Sequence, residues 1–343
     1  MRIGLLFFSA ASSDPRGGYE VLLRLARYAD EAGLHAVWTP ERHFEDFGGL
    51  YPNPSGLGAA LAVTTRRIRI RAGSVVAPLH HPVRLAEEWA VVDNLSGGRV
   101  EVSFASGWNA RDFALALGAY GDRRTLTVEA ITTVRRLWAG ESVSFPTPDG
   151  EAPVRTHPRP LQEDVPVWLT AAGSPQTFRD AGRLGAGVLS ALVGQSLDRF
   201  AENVAAYRAE RAAAGHRGRG QVALMLHTFL GHDDGEVRRR VREPLRDYMR
   251  SYIGQHEELR TRLGAASARE REALAAFAFE HYYRTDSLLG TPDKCAGMLE
   301  RVAAAGADEV ACLVDFGLPG DEVLASLELL TGLRDRAGLE APC

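Results

Sequence analysis

Short apolar runs alternate with amphipathic stretches along most of this chain. The first run, residues 3–8, reads as a strand, and residues 19–32 as a helix closed by Gly33. A strand at 36–40 and a helix at 53–64 repeat the pair. Residues 68–113 show the unit most plainly. A β run at 68–76 is followed by a helix at 83–95, the turn Ser96-Gly97-Gly98, and a second run at 100–105 that ends in Ser106-Gly107-Trp108-Asn109. Strand, crossover helix and strand make a βαβ unit and hence a parallel sheet. Both strands end in small or polar residues, where a parallel sheet presents its ligand-binding loops.

The rhythm continues. Residues 123–139 carry Leu126, Ile131, Val134 and Leu137 close to helical spacing. Residues 140–164 have no period and read as an excursion, with a hairpin as one form of it. Then come strand 165–171, helix 175–184, strand 187–191, helix 197–214, a polar turn at 215–220 and strand 221–230. The last strand is 309–314 and the last helix 321–337. About eight strands, each followed by helix, give a doubly wound sheet or a closed barrel, and eight units favour the (β/α)8 TIM barrel. A dinucleotide fold would want G-x-G-x-x-G directly after a strand, whereas Gly185-Ala186-Gly187 precedes one. The one large departure is 231–307, between the seventh and eighth strands. It is too long for a single crossover helix and predicts a helical insertion over the barrel mouth. With no repeat or low-complexity segment, residues 1–343 read as one domain.

Composition narrows the class. The 343 residues are 45% hydrophobic, enough for one large core. A net charge of −4 gives no electrostatic reason for nucleic acid or an anionic membrane as partner. Cys295, Cys312 and Cys343 have neither metal spacing nor a paired framework, which reads as a reducing cytoplasm. The opening MRIGLLFFSAASS has one basic residue and a short apolar run, so it reads as a buried first strand in preference to a signal peptide. No run approaches the roughly 20 apolar residues of a membrane span. The absence of H-x-H, H-E-x-x-H and C-x-x-C argues against a metal site, and the absence of G-x-S-x-G against a serine hydrolase.

The candidate chemistry lies at strand ends. Alternate residues of an extended chain share a face, so Thr39, Glu41 and His43 would point together into the mouth. Glu41 and His43 could move protons or hold a substrate, or form a pair that fixes the loop; their spacing leaves both readings open. In Ala72-Gly73-Ser74-Val75, glycine and serine are poor strand residues and mark a bulge or a close approach to the backbone. The small residues from Ala105 to Asn109 leave room for a flat ring or a phosphate. In 170–177 a strand runs into Gly173, Ser174 and then Pro175 at the first helical position, followed by Gln176 and Thr177. Free N–H groups and the helix dipole make an anion site there, although an ordinary serine N-cap fits the same residues. His80 and His81 are neighbours and cannot both face one metal from a strand. Residues 238–240, three arginines, read as a solvated helix face. Phe277, Phe279, Tyr282 and Tyr283 read as core, within the insertion that would cover the site.

The words HPVRLAEEWAVVDNLSGGR and SFASGW, with TPERHFEDFGGLYPNPS upstream and GTPDKC and DEVACLVDFG downstream, resemble the luciferase-like, flavin-dependent monooxygenases. They are most similar to the subgroup of natural-product biosynthesis, and the resemblance covers nearly the whole chain. It implies a luciferase-like barrel that uses reduced FMN, supplied by a separate flavin reductase, and molecular oxygen. The substrate would be a biosynthetic intermediate, small or tethered to a carrier protein, and the assembly a homodimer. The resemblance puts a non-proline cis peptide at Gly73–Ser74, against the flavin ring. It puts the flavin phosphate on Gly173, Ser174, Gln176 and Thr177 with Arg124, and gives catalytic parts to His43 and Glu41; the room left after the 100–105 run adds Ser106 and Asn109 to the cofactor site. Arg42 stands where the first of the family's histidine pair would be, and Ala105 where luciferase carries a cysteine. A deazaflavin-dependent oxidoreductase of the same superfamily and a non-catalytic flavin-binding protein are the alternatives.

Overall fold

Each apolar run forms a parallel strand in the computed structural model, which describes residues 1–9, 14–255 and 268–336. Strands β1 (Arg2–Leu6), β2 (Ala36–Thr39), β3 (Arg69–Val76) and β4 (Val100–Ala105) lie side by side. An antiparallel hairpin, β5 (Val143–Thr147) and β6 (Gly150–Val154), occupies the aperiodic excursion. The ring continues through β7 (Val167–Ala171), β8 (Gly187–Ala191) and β9 (Val222–Leu230). It closes through β11 (Glu309–Leu313), which pairs with both β9 and β1. The result is an eight-stranded parallel barrel.

The outer layer is helical: α1 (Pro15–Glu31), α2 (Pro54–Thr64), α3 (Pro82–Ser96), α4 (Arg123–Trp138), α5 (Pro175–Arg183) and α6 (Leu197–Ala213). Several starts are written in the sequence. Proline opens α1 and α2 with Asp14 and Asn53 as caps, which accept from the Gly17 and Gly56 amides. Helix α3 ends at Gly97, whose φ of 71° is the left-handed conformation a C-terminal glycine supplies cheaply.

Between β9 and β11 lie α7 (Asp234–Gln255), α8 (Ala268–Thr285), the strand β10 (Leu288–Gly290) and α9 (Pro292–Ala304); α10 (Gly320–Arg336) follows β11. The sequence reading does not contain β10, since three residues, Leu-Leu-Gly, show no period. It extends the upper end of β9, with Leu288 opposite Thr228. Helix α9 buries Cys295, Met298, Leu299 and Val302 against the outside of the barrel. The inserted helices proper are α7 and α8. Cys343 and residue 337 lie outside the described residues, as does the side chain of Phe277.

Two apolar cores result. One lies between strands and outer helices, with Leu22, Val37, Trp89, Ile131, Phe178 and Leu327 among its members. The other fills the barrel and continues upward into α7 and α8 through Val241, Leu245, Tyr248, Phe279 and Tyr283. Within the barrel, Arg71 is fully buried and bonded to Glu101 at 2.7 Å and to Glu309 at 2.7 Å. Its guanidinium lies 4.6 Å from the Trp38 ring and 4.5 Å from the Trp168 ring. The indoles donate to the same two carboxylates, Trp38 to Glu309 and Trp168 to Glu101. Glycines make the space: a Cβ on Gly187 would come within 2.6 Å of Trp168, and one on Gly4 within 2.9 Å of Glu309. The barrel is therefore plugged low down, and any ligand space is confined to the C-terminal ends of its strands.

Candidate active site at the barrel mouth

The path beyond β2 does turn Glu41 inward. Its side chain is completely buried, and three donors meet it. The Val76 amide donates to Oε2 at 2.7 Å, and the Nε2 atoms of His43 and His80 lie 2.8 and 2.6 Å from Oε1. Burial works to raise the carboxyl's pKa, but the three hydrogen bonds outweigh it and hold Glu41 below its ordinary range. For His80, burial lowers the pKa, while the Glu41 bond and the nearby Glu41 and Glu88 charges raise it; the net direction is upward. Sequence reasoning paired Glu41 with His43 and set His80 aside as one of two adjacent histidines. The short helical turn Ala77–Leu79, which swings His80 back over the mouth, has no periodic signature to betray it.

Arg42, which the resemblance sets in the place of a histidine, is buried beside aromatic rings. Its guanidinium lies 4.6 Å from the Phe8 ring and 5.1 Å from that of Phe47, and Nε donates to the Phe47 carbonyl. Asp112 sits nearby. Burial raises its pKa against the lowering charges of His43 and Arg42. Asn109 donates to Asp112 at 2.9 Å and accepts from the Arg111 amide, so its side chain organises the turn after β4.

The wall formed by β3, β4 and β7 carries hydroxyls and little bulk. The Gly73–Ser74 peptide is cis, and the β3–β4 register shifts there. The Ser74 carbonyl accepts from the Glu41 amide at 3.0 Å, which ties this bond to the acid–histidine cluster. Ser74 and Ser103 both hydrogen-bond the Thr170 hydroxyl. Thr39 Oγ1, also buried, has no partner among the described residues. At the end of β7, Gly173 has a φ of 93°, and α5 begins with Ser174 as N-cap. The Ser174 hydroxyl makes no capping bond, so the ordinary-cap reading lacks its geometry. Asn203 donates to the Gly173 carbonyl and to Gln195, which in turn holds Ser190 and the Ala191 carbonyl; the loop is braced from behind. Gln176 is engaged by Asp180, and Thr177 is half-buried in the first turn. Ser106 is half-buried at the β4 end. Arg124 is exposed; it is Arg123 that reaches the β4 loop, donating to the Gly107 carbonyl at 3.2 Å.

The opposite side of the mouth is aromatic. His227 on β9 is held at Nδ1 by the Tyr282 hydroxyl at 2.7 Å and surrounded by Tyr248, Tyr282 and Phe316. Burial pushes its pKa down to about 3, so the ring is neutral. Asp315, after β11, accepts from the Phe8 and Ser9 amides and from Tyr51, joining the ends of β1 and β11.

An uncapped helix N-terminus beside a wall without bulky side chains suits a flat molecule that ends in a phosphate. Fold and site thus define a cofactor-dependent barrel enzyme. The model of the luciferase-like monooxygenase family matches residues 1–309, and the chain belongs to that family: it is a flavin-dependent monooxygenase. It is 26% identical over 322 residues to the oxygenase component of flavin-dependent trigonelline monooxygenase from Acinetobacter baylyi, covering 90% of this chain and 87% of that protein. It is 28% identical over 295 residues to 4-hydroxyprotoasukamycin monooxygenase of Streptomyces nodosus subsp. asukaensis, covering 82% and 76%. Among solved structures, monooxygenase RslO1 of Streptomyces bottropensis superposes with a TM-score of 0.80 at 26% identity over 98% of this chain and 100% of that one. The FMN-bound oxygenating constituent of 3,6-diketocamphane monooxygenase from Pseudomonas putida gives 0.79 at 19% identity, over 100% and 99%, and shares the fold.

Proposed function

We propose that this chain is the oxygenase of a two-component system, that its flavin is FMN reduced by a separate enzyme, and that its substrate is an intermediate of natural-product biosynthesis, free or carrier-bound. The observation that carries the reading is the pairing of the uncapped α5 N-terminus with the hydroxyl-lined wall, across from the Glu41–His43 cluster. Backbone N–H groups at Ser174 and Gln176 and the Thr177 hydroxyl, with the glycine turn at 173, would receive the phosphate, helped by Ser106 and Arg124. The ring would lie against Gly73–Ser74, with Asn109 fixing the adjoining turn. Bound reduced FMN, with molecular oxygen, supplies the oxygen atom that is transferred. The protein's own residues do the rest. Glu41 orients His43 through Nε2, which leaves Nδ1 to exchange a proton with the substrate. Tyr248 of α7 and Phe279 and Tyr283 of α8, continuous with the barrel core, keep water from that side of the mouth. The names of both relatives support oxygenation, that of the trigonelline enzyme a separate oxygenase component, and the protoasukamycin relative a natural-product setting. In the assembled enzyme we place a second copy against Val63 of α2 and Val91 and Leu95 of α3, aliphatic side chains exposed on adjoining helices.

Flavin fluorescence titration tests the assignment. Ser174→Glu combined with Thr177→Glu should weaken FMN binding at least tenfold, because two carboxylates then oppose the phosphate. Unchanged affinity would remove the phosphate from this turn. Binding of a deazaflavin but not of FMN would overturn the oxygenase reading.

A further inference from the structure

Both imidazoles of the mouth cluster reach Glu41 through Nε2, and both reach the same oxygen. The shorter contact, 2.6 Å, belongs to His80. Its side chain is 29% exposed against 12% for His43, so His80 is the member of the cluster that water can reach. Among the described residues, His80 Nδ1 has no hydrogen-bond partner. An N–H donor toward Oε1 is required at both rings while Glu41 is ionised, which leaves each Nδ1 as the atom that gains or loses a proton.

We propose that His80 is a further proton-donating residue of this site: Glu41 fixes its Nε2–H, and Nδ1–H delivers a proton to an oxygen atom of the bound substrate. This rests on the functional reading above and adds a residue to it. Burial disfavours the charged form of His80, but the hydrogen bond to Glu41 of the β2 loop and the charges of Glu41 and of Glu88 on α3 outweigh it. Asp112, with Glu45 near it, lies within electrostatic reach of His43 and Glu41, with the Arg42 charge opposing. In the step, the Nδ1–H bond breaks and an O–H bond forms. The electron pair stays on Nδ1, Nε2–H stays on Glu41, and the neutral ring takes its replacement proton from water at its exposed edge. No oxidant or reductant enters.

The test uses the full chain with isotopically labelled histidine, titrated by NMR as wild type, His80→Gln and Glu41→Gln. Glutamine at 80 keeps a donor toward Oε1 and removes only the titration. The signal missing in His80→Gln should titrate above the ordinary histidine range in the wild type. In Glu41→Gln its proton affinity should fall about tenfold, one pH unit. Product formed per pulse of pre-reduced FMN should show an alkaline limb at that midpoint, absent in His80→Gln, with FMN affinity unchanged. A His80 midpoint at or below the ordinary range overturns the proposal, and so does a wild-type alkaline limb in His80→Gln. A wild type that fails to bind FMN, but keeps the raised midpoint, refutes the functional reading instead.

Discussion

Replacing Glu41 by glutamine should remove a pH-dependent part of this protein's stability. The carboxylate is buried and accepts from the Val76 amide, His43 and His80. Glutamine matches its shape but offers one accepting oxygen. Turned toward the histidines, it sets its NH2 against the Val76 N–H; turned the other way, it confronts both imidazoles. One buried donor left unpaired costs about 1–3 kcal/mol, and a hydrogen bond to a charged group contributes about 1.5–3 kcal/mol, so a loss of about 2–4 kcal/mol is expected near neutrality. The pH dependence has a definite sign on each side. Glu41 is held low in the folded state, so its contribution is present above the unfolded carboxylate value and is lost as pH falls through the folded one. His80 is held high, so its contribution is present below the unfolded imidazole value and is lost as pH rises through the folded one. The wild type should therefore exceed Glu41→Gln most between these limits; the gap closes on the acid side, as the Glu41 contribution is lost, and narrows without closing on the alkaline side, where only the His80 part is lost. Urea denaturation midpoints across a pH series measure the difference. Parallel curves for the two proteins, from acid to alkaline pH, would refute the account of this cluster.

Arg71→Met should destabilise the barrel by about 3–5 kcal/mol, read as a lowered thermal midpoint, because Glu101 and Glu309 lose their buried counter-charge. Gly73→Ala should cost about 1–3 kcal/mol and weaken FMN binding in the same titration. Its Cβ would stand 3.0 Å from Trp38 Cβ, and that indole is fixed by Glu309 and Arg71. Val91→Glu with Leu95→Glu should shift the sedimentation velocity of the proposed dimer to that of a monomer, while leaving the far-ultraviolet dichroism unchanged.

Much of the fold was legible because parallel barrel strands are short apolar runs with amphipathic helices between them. Residues 100–105 and 187–191 coincide with β4 and β8 to the residue. What escaped was local. Strand β10 is too short for any period; the β5–β6 hairpin was open only as one form of the 140–164 excursion, because Pro146 and Pro153 in its strands break the alternation that would have fixed its bounds. At the site, the spacing of Glu41 and His43 was enough to place them together. His80 was not readable from spacing, since its approach depends on where β3 ends beside β2. The same holds for Arg71. An arginine inside an apolar strand gives no hint that two tryptophans and two glutamates, from four other strands, will enclose it.

The two halves of the barrel interior explain why the site lies where it does. Below, large and charged side chains close the section completely, and glycines at 4 and 187 have no spare volume for a ligand. Above, the wall from β3 to β7 offers serine and threonine hydroxyls, while the wall from β9 to β1 is filled by His227, Phe316 and the rings brought down by α7. In the proposed binding mode a flat molecule entering the mouth therefore settles toward the hydroxyl side, with its phosphate end at the start of α5, where Ser174 makes no side-chain cap. That placement leaves Glu41 and its two histidines at the boundary between the polar wall and the aromatic one. In the proposed reaction a proton is needed at that boundary when an oxygen atom changes hands, and His80, the more exposed imidazole, is the one whose proton water can replace.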